Sequence, residues 1–138
     1  MRKNKLLTAL YALSIVCLLS SCAFTGRDVN LVDAKIAAAI DEKLMPVGIT
    51  DAFPKGTSKV SCWIKWRDAK INTPLLAKWH YVTDDVHILD YTFYIPKKEG
   101  TGSVSLTMPA EKKFPSGRYK LDLVTGNRVI RSLIFRVE

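Results

Sequence analysis

The chain has 138 residues, 21 Lys+Arg against 13 Asp+Glu, and a formal charge of +8. Nearly half of it is hydrophobic, which excludes a disordered chain and leaves room for one domain with a sizeable core. The basic surplus is modest and scattered rather than gathered into a stripe, and that distribution speaks against a nucleic-acid binder.

In chain order, the first segment carries Arg2, Lys3 and Lys5, then an apolar run from Leu6 to Leu19. A positive start, a short apolar stretch and small residues are the grammar of a secretory signal, and the run is too short for a membrane-spanning helix of about 20 residues. It ends Leu19-Ser20-Ser21-Cys22, which resembles the lipobox of bacterial lipoproteins. That resemblance implies cleavage before Cys22 and attachment of diacylglycerol and palmitate-type chains to its thiol. It also implies a lipid anchor in the bacterial cell envelope. Ala23 rather than aspartate follows, which favours the outer membrane if the source is Gram-negative. Removing residues 1–21 from 138 leaves 117; the three basic residues lost with them lower the formal charge from +8 to +5. Cys17 leaves with the signal, so Cys62 has no intramolecular partner and reads as a buried structural thiol.

Residues 22–35 are expected to be the lipidated cysteine and a tether, and 36–138 the folded domain. Within the 31–44 stretch Ile36, Ile40 and Leu44 fall on one helical face, Asn30 is a possible cap and alanine is a poor strand former. A short helix is expected there, although its later half also reads as a strand. From Val60 onward the period is two. Val60, Cys62, Ile64 and Trp66 alternate with Ser61, Trp63, Lys65 and Arg67. The segments 75–82 and 86–95 follow, then faces of Val104/Leu106/Met108, Tyr119/Leu121/Leu123 and Leu133/Phe135/Val137. The apolar side switches from Val86/Ile88 to Leu89/Tyr91/Phe93/Ile95 within one segment, which predicts a bulge or burial on both sides. A Gly126-Asn127 turn between alternating runs predicts a closing hairpin. Short strands with turn signals about every ten residues define a mainly β fold, an antiparallel β-sandwich.

Phe53-Pro54, Trp79, the stretch Phe114 to Tyr119 (FPSGRY) and the closing Phe135-x-Val137 resemble a family of small immunoglobulin-like envelope domains, over about residues 36–138. The resemblance implies an immunoglobulin-like sandwich and a binding or scaffolding role, here without the disulfide of antibody domains.

Chemistry-bearing constellations are sparse. A tight turn at Thr83-Asp84 would set His80 opposite His87, and two imidazoles with Asp84 or Asp85 could hold a metal. This makes a small metal-dependent envelope enzyme or metal-binding protein the alternative reading. Zinc sites normally need three or four protein ligands, so no metal or other cofactor is assigned. There is no G-x-S-x-G elbow, and the two glycines of PKKEGTGS lack a phosphate-loop pattern, so no enzyme is expected. Trp63 alternates onto a face with Lys65 and Arg67, and these three are the candidate contacts for an envelope protein or glycan; the other reading packs Trp63 under the Leu31–Leu44 segment or beneath Lys and Arg stems.

Overall fold

Nine strands account for the described part of the chain, residues 29–138 of a computed structural model. They are β1 (Asn30–Ile40), β2 (Pro46–Ile49), β3 (Ala52–Phe53), β4 (Lys59–Arg67), β5 (Pro74–Tyr81), β6 (Val86–Tyr94), β7 (Gly100–Thr107), β8 (Gly117–Thr125) and β9 (Arg128–Val137). One sheet has the order β2-β1-β4-β7 and the other β3-β9-β8-β5-β6. All pairings are antiparallel except β3 with β9. The expected signal peptide, Cys22 and the first residues of the expected tether lie outside the described residues.

The expected helix is a strand. Asn30–Ala37 pairs with β4, with a bulge between Leu31 and Asp33, so the paired strand already starts at Asn30, ahead of residue 36. The spacing of Ile36 and Ile40 also allows an extended chain, and Ala34, Ile36 and Ala37 are all buried in β1. Pairing with β4 satisfies backbone groups that an eleven-residue isolated helix would hold only marginally.

The period-two reading from Val60 onward holds. Val60, Cys62, Ile64 and Trp66 of β4 lie against Val104 and Leu106 of β7 and the inward faces of β5 and β8. Gly126 (φ 55°) and Asn127 (φ 61°) are both left-handed and join β8 to β9 by a type I′ turn. The bulge expected in β6 is present: Trp79 pairs with Leu89 but His80 with His87, leaving Ile88 as the extra residue.

The residues that carry the family resemblance meet in one aromatic cluster. Phe135 stacks on Tyr119 (5.1 Å, 7°) and meets Phe53 (5.7 Å) and Trp79 (6.2 Å) edge to face. Phe114 packs edge-on to Tyr119 at 5.5 Å. The Tyr119 hydroxyl donates to the Pro115 carbonyl at 2.6 Å, the tyrosine corner of immunoglobulin-like sandwiches. Burial pushes its hydroxyl up to about 12, with Tyr81 adding to the shift. The two glycines of PKKEGTGS have a packing role: a Cβ on Gly102 would lie 2.8 Å from Phe93 and 3.2 Å from Trp66. Their absent side chains admit the Trp66 ring, whose Nε1 donates to the Lys97 carbonyl at 2.9 Å.

Candidate interaction surface

The proposed trio of contacts is divided by the fold. Lys65 and Arg67 are exposed on the outward face of the first sheet, but Trp63 is only 6% exposed. Its Nε1 donates to the Leu44 carbonyl at 2.8 Å, so the turn after β1 lies over the ring. A covered indole offers no stacking face, and Trp63 is corrected from a contact residue to one that seats a hairpin. Alternation reported its direction correctly; the cover comes from residues 41–45.

That turn is built by Asp41. Its carboxylate accepts from the amides of Lys43 and Met45, both at 2.9 Å, and its own amide donates to the Met45 carbonyl at 2.9 Å. Leu44 takes φ 59°, a conformation costly for leucine and here fixed by the surrounding bonds. The arm so held presents Leu44, Met45, Val47 and Ile49, each about half exposed.

The arm ends beside a cleft. The chain changes sheets within two residues: the Thr50 amide donates to Ile36 of β1, while Asp51 accepts from the Arg136 amide of β9 at 2.8 Å. An open cleft of about 350 Å³ lies there, lined by Lys35, Ile36, Ile49, Thr50, Asp51, Leu133 and Ile134. Ile49 and Ile134, 56% and 47% exposed, both line it. Contiguous exposed apolar surface of this kind marks interaction sites, whereas isolated apolar residues do not. No sequence signal singled out this place, because Ile134 sits in an ordinary alternating strand and Ile49 in a short segment after a glycine.

A second apolar strip lies on β6. Leu89 and Tyr91 pair with buried Trp79 and Ala77, so they point inward, yet about half of each is exposed. The first sheet does not extend far enough to cover them.

His80 and His87 are indeed cross-strand partners. Each imidazole, however, is engaged by its own carboxylate: His80 Nε2 with Asp85 Oδ1 at 2.9 Å, His87 Nε2 with Asp90 Oδ1 at 3.3 Å. Among the described residues no three His, Cys, Asp or Glu side chains are grouped to hold a metal. Cys62 is buried, and burial pushes its thiol up to about 12, far from a reactive thiolate.

No family model matches the chain, and no curated protein matches it. Among solved structures it is similar to an immunoglobulin-like protein from Pseudomonas aeruginosa, at 13% identity and TM-score 0.57, over 82% of this chain and 100% of that one. It is also similar to the alkylpurine DNA glycosylase AlkC of Pseudomonas fluorescens bound to DNA containing an abasic site analog, at 10% identity and TM-score 0.52. That likeness takes in 82% of this chain and 31% of the glycosylase. Identities of this size speak to fold alone, and the fold is an immunoglobulin-like β-sandwich.

Proposed function

We propose that the protein is a lipid-anchored, non-enzymatic binding module of the bacterial cell envelope, tethered through Cys22 and engaging a protein partner at the cleft between Ile49 and Ile134. The exposed apolar residues of the Asp41-braced arm, of which Ile49 reaches the cleft, carry the reading, together with the exposed Ile134 on its other side. The lipobox-like Leu19-Ser20-Ser21-Cys22 supports the anchor. Two or more acyl chains would make attachment stable, which one chain alone does not. The engaged His80 and His87 leave the metal-dependent alternative without a supporting observation.

The anchor is tested by intact-mass measurement of the membrane fraction. The mature chain should start at Cys22 and carry diacylglycerol, and Cys22→Ser should accumulate as an unlipidated precursor. A mature chain starting elsewhere without lipid mass would end the anchor reading. The binding surface is tested separately, with a photo-crosslinking side chain at position 134 in the native envelope and a control at Thr92 on β6. A discrete adduct from position 134 alone is the expected result.

A further inference from the structure

Beside the cleft, β9 has an open edge. β3 pairs with it only at Arg136 and Val137, and among the described residues no strand pairs with Arg131–Ile134 on that side, while Val29–Leu31 share a cleft with Arg128–Ile130. The Arg136 amide points to that side, since it donates to Asp51. Regular pairing with β8 from Phe135 down to Ser132 then turns the N–H and C=O of Ile134 and Ser132 the same way. The vacancy exists because residues before Ala52 have crossed to pair with β1. The open stretch from Arg131 to Ile134 is about 13 Å long.

The two unpaired edges on this flank differ. On β1 the Ala34 amide is already bonded by Asp33 Oδ1 at 2.8 Å, so that edge is closed by its own side chain. On β9 no such closure occurs at Ser132 or Ile134: the Ser132 hydroxyl is turned to Asp122 at 2.5 Å. The charge beside the edge is one-sided. β9 carries Arg128, Arg131 and Arg136 and no acid, and Lys35 lines the same cleft. Opposing them are Asp51 in the cleft and Glu138, which pairs with Arg136 at 3.0 Å. Among the described residues Arg128 and Arg131 make no ion pair. Two β9 edges laid together would oppose arginine to arginine, which disfavours a second copy as the occupant.

We infer that the partner contributes an extended acidic segment that adds as a strand to the open edge of β9 at Ser132 and Ile134, in line behind β3. Its backbone completes the ladder, apolar side chains on one of its faces cover Ile134, and the carboxylates on the other meet Arg128 and Arg131. This rests on the binding-module reading above and specifies the partner's chemistry.

The test uses the mature chain and an acetylated decapeptide alternating valine with glutamate. A lysine-for-glutamate counterpart and phosphatidylglycerol vesicles serve as comparison probes. The acidic peptide should slow amide exchange at Ser132 and Ile134 and bind at least about ten times more tightly than the lysine peptide. Reversal of charge at Arg128→Glu with Arg131→Glu should invert that preference. Ser132→Pro, which removes an edge N–H, should abolish the protection; the exchange measurement on the unmodified chain stands even where that variant does not fold. Equal binding of the two peptides, protection at β2 or β6 instead, the same response to vesicles, or no binding would each overturn strand addition. A persisting crosslink from position 134 under those outcomes would leave the binding module intact, and a missing lipid at Cys22 would bear on the anchor alone.

Discussion

Phe135 touches Tyr119, Phe53 and Trp79 at once, and so adds side-chain contacts to the ladders of β9 with β8 and β3 and links it to β5 as well. Phe135→Ala should cost about 3–5 kcal/mol in chemical denaturation, because the ring is fully buried and rigid neighbours cannot collapse into the space. A loss below about 1 kcal/mol would mean that the cluster repacks freely. The two shifted groups predict a pH effect of definite sign. Cys62 rises from 9.0 and Tyr119 from 10.0, each to about 12, so the folded state holds both protons more tightly than the unfolded chain. Their contribution is full below about pH 9 and is lost as pH rises from there towards about 12. Denaturation midpoints should therefore fall across that window, and the fall should be shallower in Cys62→Ala combined with Tyr119→Phe. An unchanged slope in the double variant would remove these groups as the cause. The aromatic cluster was legible in the sequence because each member lies on the apolar side of a period-two run or at a turn. Trp63 was legible only as a choice, since alternation gives a direction, and an apolar Leu31–Leu44 segment offered a cover without showing that it closes over the ring.

At the level of elements, the β1–β2 hairpin is the part least readable in advance. The Ile36, Ile40 and Leu44 spacing suits a helix, and alanine weighs the same way, but pairing with β4 overrides both propensities. The turn itself depends on one carboxylate, Asp41, and on a left-handed Leu44, neither of which leaves a periodic trace. By contrast, the β6 bulge and the Gly126-Asn127 turn were legible, because each forces a visible break in the apolar pattern. Trp63→Phe tests how the arm is held. It keeps most of the buried ring and deletes the bond to Leu44, so the expected cost is about 1 kcal/mol. Amide exchange should quicken at Leu44–Val47 and stay unchanged in β8. Unaltered exchange in the arm would show that the Asp41 bonds alone fix it.

Across the whole molecule, the layered sandwich followed from strand period and turn spacing, whereas the sheet switch after Ile49 did not. Nothing in Thr50-Asp51 announces that one residue belongs to each sheet; the assignment is made by partners far away, Ile36 on one side and Arg136 on the other. The cleft and the open β9 edge are products of that switch, so the candidate site is a property of the assembled topology and of no local motif. On the proposed anchoring through Cys22, β1 has a further consequence. Tension drawn from Val29 along the axis of β1 loads the rungs from Asn30 to Ala37 together against β4, so they must yield as a group in shear. The same pull applied sideways would open them one after another like a zipper. The strand that begins the fold is thereby its mechanical clamp, strongest when the domain is stretched straight away from its point of attachment.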